Sequence, residues 1–309
     1  MIYSLTIAPC IDYSLNMGDK DIRVGGVNRP SSDGFSVGGK GITVSRMLNN
    51  LKVKNTPIIA IGGDIGNQIK DIIDREFDKV VYLKTETVSR VDIMITGPNE
   101  DTRFDPSAPK VTSRGLDKMK AFLCKNLKEG DIVILSGSLG QEKKTLYADI
   151  MKECCGDKDV FVFLDTVDEA LTSALPYHPF MIKPNDEELG DLLGKKMITK
   201  EDILSGGEEL KKMGPRSVMV TMGRKGAYYF SEDGHIYHCS NATGIQISAV
   251  GAGDSSIAGF IKGLSEGKSI EDTLKYSMAA GGATAFSPHL GSYRLWKSLL
   301  PQIVVTKIK

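Results

Sequence analysis

The sequence predicts an α/β fold: a doubly wound, mostly parallel sheet with helices on both faces, plus a small β lid. Three observations carry this. Short β-branched runs alternate with helical patterns along nearly the whole chain. Several strand candidates are apolar at consecutive positions, such as Ile132-Val133-Ile134-Leu135 and Val160-Phe161-Val162-Phe163-Leu164, and a strand apolar on both faces belongs in a sheet covered on both sides. The segment 253–265 sets Ile257, Phe260, Ile261 and Leu264 at i, i+3, i+4 and i+7, one apolar helix stripe. Strand–helix alternation of this kind builds βαβ units.

In chain order, strands are expected at Ile2–Ala8, Thr56–Gly62, Val91–Thr96, Asp131–Ser136, Val160–Asp165, Phe180–Lys183 and Ser217–Thr221. Helices are expected at about 41–52, 64–76, 113–128, 142–154, 200–213, 253–265 and 270–286. Two stretches break the rhythm. Residues 12–37 are polar and contain glycine, and 84–110 carry a strand followed by a turn-rich polar loop. Both are expected to leave the sheet and build the lid. With no internal repeat, low-complexity tract or long linker, residues 1–309 form one domain with lid segments at about 12–37 and 84–110.

Lys+Arg and Asp+Glu both total 39 of 309 residues, a formal charge of zero. That balance argues against a nucleic-acid or membrane-surface partner recognised by bulk charge, while leaving room for a local basic pocket. The five cysteines show neither CxxC spacing nor a cysteine–histidine zinc pattern, so free, mostly buried thiols in a reducing cytoplasm are expected. The opening MIYSLTIAPCID lacks a signal-peptide pattern, and no run of 18 apolar residues occurs. A soluble cytoplasmic protein is expected. The four histidines cluster with nothing and are expected at the surface or in satisfied positions. Without a G-x-S-x-G elbow or an H-E-x-x-H helix, the corresponding hydrolase classes drop out.

Four local patterns offer chemistry. Val250-Gly251-Ala252-Gly253-Asp254-Ser255 opens the apolar-striped helix. Small residues there let backbone N–H groups and the positive helix end approach an anion, and Asp254 could take a proton from a substrate hydroxyl. A plain helix start is the alternative. Gly34-Phe-Ser-Val-Gly38-Gly39-Lys40-Gly41 nearly matches a P-loop, but Gly41 stands where a magnesium-binding Ser/Thr belongs. What survives is a glycine turn presenting Lys40 at a helix start. Ile182-Lys183-Pro184-Asn185-Asp186-Glu187-Glu188-Leu189 reads as a capped helix whose Asn185 and Glu188 could instead hold waters around Mg²⁺. Thr221-Met222-Gly223-Arg224-Lys225-Gly226-Ala227 is a sharp turn that could floor an adenine or ribose pocket, or be a bare hairpin.

The order of these patterns is more telling than any one of them. GGKG near the start, SGSL at Ser136–Leu139, LDT at 164–166, IKPNxxEL, VTxGxxG, VGAGDS and a helical AAGGATAFS tail together resemble the phosphofructokinase B family of ribokinase-like sugar kinases. The likeness covers essentially the whole chain. Within the family, TIAPCIDY, GGKG and LDT-x-x-EAL look most like the 1-phosphofructokinase and tagatose-6-phosphate kinase branch.

That resemblance implies an ATP- and Mg²⁺-dependent kinase acting on a phosphorylated ketohexose, most of all fructose 1-phosphate, with tagatose 6-phosphate and fructose 6-phosphate as competitors. It implies Asp254 as catalytic base and Gly251, Ala252 and Gly253 as an anion hole. Thr221, Gly223 and Gly226 would line the nucleotide site, with Lys183 and Asn185 near its phosphates and Glu188 organising Mg²⁺. Asp12 would hold sugar hydroxyls above Gly38, Gly39 and Lys40, with Thr43 nearby. Arg29, Arg90 and Arg103 are candidate ligands for the phosphate already on the substrate, and Ser138 could add a hydroxyl. A homodimer packed through the lid is a further expectation.

The sequence departs from the family pattern around the sugar. The usual N-P-x-x-D reads Ala8-Pro9-Cys10-Ile11-Asp12, and Thr43 replaces an asparagine. The T-E-x-N lid strand reads Thr102-Arg103-Phe104-Asp105, Gly140 replaces a proline, and Asp168 sits where the branch usually has glycine. These changes could redirect specificity. They also motivate a rival reading, a sensor that binds sugar phosphate without turning it over. The phosphoryl-transfer motifs are intact.

Overall fold

The computed structural model describes residues 1–156 and 158–309. In chain order its strands are β1 (Ile2–Thr6), β2 (Cys10–Asn16), β3 (Ser32–Gly38), β4 (Thr56–Ile61), β5 (Val81–Lys84), β6 (Arg90–Thr96) and β7 (Asp101–Phe104). They continue with β8 (Ile132–Ser136), β9 (Phe161–Asp165), β10 (Met181–Ile182), β11 (Val218–Thr221), β12 (Ala227–Phe230), β13 (Ile236–Cys239) and β14 (Val305–Lys307). The helices are α1 (Lys40–Asn50), α2 (Gly63–Ile73), α3 (Ser113–Asn126), α4 (Leu146–Ile150) and α5 (Asp168–Thr172), then α6 (Asp186–Leu193), α7 (Lys200–Lys212), α8 (Ala252–Ser265), α9 (Ile270–Ala285) and α10 (Tyr293–Leu299).

One sheet runs β14-β13-β12-β11-β10-β9-β8-β1-β4-β5. From β5 to β11 every neighbouring pair is parallel, and β12 to β14 close the far edge antiparallel. Alternate side chains feed two cores. Tyr3, Leu5, Val133, Leu135, Val162 and Leu164 point into one, with α3, α4 and α7. Ile2, Ile132, Ile134 and Phe163 point into the other, where α1, α8, α9 and α10 pack. The expected stripe Ile257, Phe260, Ile261 and Leu264 faces this second core. Consecutive apolar runs therefore reflect burial on both sheet faces.

A second sheet runs β3-β2-β6-β7. Val91–Thr96 belongs here, pairing in parallel with β2, and not to the large sheet. The pairing sets Asp12, Ser36 and Asp92 on one face, with Tyr13, Phe35, Ile93 and Phe104 on the other. A small core of Ile11, Val37, Ile42, Ile59, Ile69 and Ile73 ties this sheet to α1, α2 and β4.

Two expectations need correction. The helix expected at 142–154 is a short α4 followed by a π-helical turn, Met151–Cys155. The five cysteines are not all free: Cys124 on α3 and Cys154 in that turn form a disulfide, with Cα atoms 4.3 Å apart. Packing of α3 against the turn brings together cysteines 30 residues apart, a pairing that spacing does not reveal. Cys10, Cys155 and Cys239 are free and buried. No helix among the described residues is long and apolar enough to cross a membrane.

Candidate active site

The C-terminal ends of the parallel strands converge on one cleft, where open α/β sheets bind ligands. Its volume is about 1150 Å³, and its lining includes Thr6 and Ser136 from the ends of β1 and β8. Asp12, Gly38, Arg90 and Arg103 of the small sheet close one side. Lys40 and Thr43 of α1, and Gly251 and Asp254 at the start of α8, form the other. A smaller cavity of about 300 Å³ adjoins through Lys40, Gly137 and Ser138 and reaches Thr166, Asp168 and Glu188.

The start of α8 is built by its glycines. Gly251 precedes the helix at φ 76°, a left-handed conformation that glycine adopts without penalty. A side chain there would press within 3.2 Å of the Thr43 methyl. The N–H of Ala252 donates to the Ala249 carbonyl and that of Ser255 to the Gly251 carbonyl. Between them, the N–H groups of Gly253 and Asp254 have no protein acceptor among the described residues. Two free donors at the positive end of a 14-residue helix suit an anion.

Behind them lies a charge network that sequence reasoning missed. Asp165 ends β9 with only 4% of its side chain exposed, and its carboxylate accepts from Lys40 Nζ at 3.1 Å. Lys183, 7% exposed, brings its Nζ within 3.6 Å of the other oxygen. Burial works against the Asp165 charge, but Lys183 and Lys40 hold its carboxyl below the usual range. Burial also works against the Lys40 ammonium, which Asp165 and Asp254 nonetheless favour, so its pKa rises. Asp254 goes the other way. Burial first, and then repulsion from Asp165, push its carboxyl up to about 7. The LDT motif contains Asp165, but nothing in that string shows that two lysines from distant segments meet there. Thr6 and Ser136 were also missed. Each ends an apolar strand, and each hydroxyl is buried without a partner among the described residues.

On the small sheet, Asp12 occupies the space that the absent side chain of Gly38 leaves. Its carboxylate accepts from the Cys10 thiol at 3.0 Å. Burial raises the Asp12 pKa, and burial beside Asp12 pushes the Cys10 thiol up to about 12. Arg103 donates to Asp92 through Nε, at 3.1 and 2.8 Å, and through Nη2. Arg90 donates to Asp105, to the Pro106 carbonyl at 3.0 Å and to the Ala8 carbonyl at 3.4 Å.

Other candidate residues lie elsewhere or are engaged. Arg29 sits on the exposed connection between β2 and β3 and is not among the residues lining the cleft. The Thr43 hydroxyl donates back to the Gly39 carbonyl at 3.2 Å. Ser138 lines both cavities, its hydroxyl accepting from the Gly140 N–H at 3.0 Å. Asn185 caps α6: its Oδ1 accepts from the Glu188 N–H at 2.7 Å, while Glu188 Oε2 accepts from the Asn185 N–H at 2.9 Å. Glu188 lines the smaller cavity; Asn185 does not. Thr221, Gly223 and Gly226 are grouped at the end of β11, next to Asn185 through a parallel bridge, and do not line either cavity. Asp168, standing where relatives were expected to carry glycine, keeps a left-handed φ of 55°.

The model of the pfkB family carbohydrate kinases matches residues 1–294. A 1-phosphofructokinase of Bacillus subtilis is 33% identical over the whole of both chains. A D-tagatose-1-phosphate kinase of Bacillus licheniformis is 28% identical, again over the whole of both chains. Phosphofructokinase-2 of Escherichia coli, solved in complex with fructose-6-phosphate, superposes with a TM-score of 0.87 over 97% of this chain and 98% of its own. At 24% identity that likeness speaks for the fold.

Proposed function

The chain belongs to the pfkB family of carbohydrate kinases, and from that premise we propose that it transfers the γ-phosphoryl group of ATP to fructose 1-phosphate, giving fructose 1,6-bisphosphate. The observation that carries this reading is Asp254, a carboxyl raised to about 7 beside two free helix N–H groups and the Lys40–Asp165–Lys183 network. A base with a pKa near working pH is well matched to proton transfer.

In the proposed reaction Asp254 takes the proton of the sugar 6-hydroxyl as that oxygen attacks the γ-phosphorus and the bond to ADP breaks. The Gly251-Ala252-Gly253 turn and the positive end of α8 meet the charge that builds on the transferring group. Lys183 and Lys40 add fixed positive charge, and Asp165 holds both ammonium groups in place. Arg90, with Arg103 beside it, takes the phosphate the sugar already carries, and Asp12 its hydroxyls. Thr221, Gly223 and Gly226 line the nucleotide's outer end. Bound Mg²⁺ would neutralise phosphate charge. The free carboxylate oxygen of Glu188 is a hard donor suited to it or to its waters, whereas Asn185 already uses its amide oxygen on the helix cap.

The name borne by the Bacillus subtilis relative favours fructose 1-phosphate, and that of the Bacillus licheniformis relative makes tagatose 1-phosphate the second reading. The proposal includes a homodimer packed through the apolar outer face of the small sheet, where Phe35 is 66% and Phe104 56% exposed. The test is coupled ADP release with MgATP across fructose 1-phosphate, tagatose 1-phosphate, tagatose 6-phosphate, fructose 6-phosphate, fructose and ribose. Fructose 1-phosphate is expected to give the highest kcat/KM. Preference for an unphosphorylated sugar would overturn the substrate reading. Melting shifts without turnover on any of the six would favour a sensor.

A further inference from the structure

Two arginine–carboxylate pairs face the cleft from the small sheet, and they differ in freedom. Arg103 is held by Asp92, whose side chain is only 3% exposed. A carboxylate that deep cannot give up its partner without being stranded as an uncompensated buried charge. Arg90 has the opposite arrangement. Here the arginine is the inner member, 14% exposed, and the carboxylate of Asp105 is the outer one, 48% exposed. Asp105 lies just past Phe104, the last residue of β7, where its side chain can turn into water. The remaining acceptors on Arg90 are the neutral carbonyls of Pro106 and Ala8. Its Nε–H is buried with no partner among the described residues.

We propose that Asp105 is a displaceable internal anion. It pairs with Arg90 and gives way to the phosphate monoester of the substrate. This rests on the reading that the arginines receive the phosphate already on the sugar. Guanidinium groups bind carboxylate and phosphate in the same two-point geometry, and phosphate brings the greater charge. A phosphorylated sugar can therefore exchange for Asp105, whereas a neutral sugar leaves the pair closed. Asp105 thereby sets the anion strength needed to enter, and acts as a specificity-determining residue.

A half-exposed ion pair of this kind opposes the incoming anion by about two- to five-fold in affinity. The test is calorimetric titration of the full chain with inorganic phosphate, for wild type, Asp105→Asn, Asp105→Ala and the double variant Arg90→Ala/Asp105→Asn. Both single variants are expected to bind phosphate two- to five-fold more tightly, and the double variant to lose that gain. The KM for fructose 1-phosphate should fall by a similar factor in Asp105→Asn. A merely structural role for Asp105 predicts weaker binding instead. Unchanged or weakened phosphate binding in both single variants would overturn the proposal. A tightened phosphate affinity in a protein that turns over no sugar phosphate would sink the substrate reading and leave the role of Asp105 standing.

Discussion

Replacing Asp254 with asparagine separates the chemistry of this site from its stability. Burial and Asp165 displace the carboxyl from 3.8 to about 7, a perturbation worth at most about 4 kcal/mol. The folded-state pKa is raised, so the carboxyl contributes stability fully below pH 4 and loses that contribution as the pH climbs to 7. Above pH 7 the folded protein carries an ionised carboxylate that it holds at a cost. Asparagine removes that cost. The melting temperature of Asp254→Asn should therefore rise relative to wild type between pH 4 and pH 7, and the difference should level off above. Activity should move the other way. Loss of a general base costs about 10²- to 10⁴-fold, and wild-type kcat/KM should fall about ten-fold per pH unit below 7, where Asp254 is protonated. Coupled ADP release from pH 5.5 to 8.5, with melts across the same range, reads both. An asparagine variant within ten-fold of wild-type turnover would refute the base. A melting difference that does not change with pH would refute the burial argument behind it.

Asp165→Asn should destabilise the fold by about 3–5 kcal/mol in urea unfolding, because it strands the buried Lys183 and the neighbouring Lys40 without their shared carboxylate. Gly251→Ala should cost about 1–2 kcal/mol, from the left-handed φ alone. Its KM for ATP should rise as the turn shifts; unchanged stability and KM would mean that the turn tolerates a side chain. Non-reducing denaturation should expose three titratable thiols and reducing denaturation five, since Cys124 and Cys154 are paired. Cys124→Ser should then cost about 3–4 kcal/mol, as expected for opening a loop of about 30 residues; five thiols without reductant would contradict the pairing. Phe35→Lys should convert a dimer to a monomer in light scattering, and a protein monomeric to begin with would remove the proposed interface.

The architecture was legible because burial on both sheet faces writes itself into consecutive apolar runs such as 132–135 and 160–164. The antiparallel edge from β12 to β14 was not, because strands of three or four residues carry too short a pattern. Within the site, the glycine turn before Asp254 was visible as a local string. The Lys40–Asp165–Lys183 network was not, because its members come from α1, β9 and the end of β10 and meet only through the parallel order of the sheet. Arg29 is a residue type suited to phosphate in a lid segment, yet it lies on an exposed connection and is not among the residues lining the cleft. Asp168 keeps a backbone conformation natural to glycine, a geometry of which its residue type gives no sign.

The most direct test of the central claim is to identify the product of fructose 1-phosphate and MgATP by ³¹P nuclear magnetic resonance. Two sugar phosphomonoester signals in equal amount, each split by two methylene protons as phosphates on C1 and C6 are, and growing together with ADP, are the predicted result. Release of inorganic phosphate with fructose 1-phosphate unchanged, or no reaction at all, would contradict it.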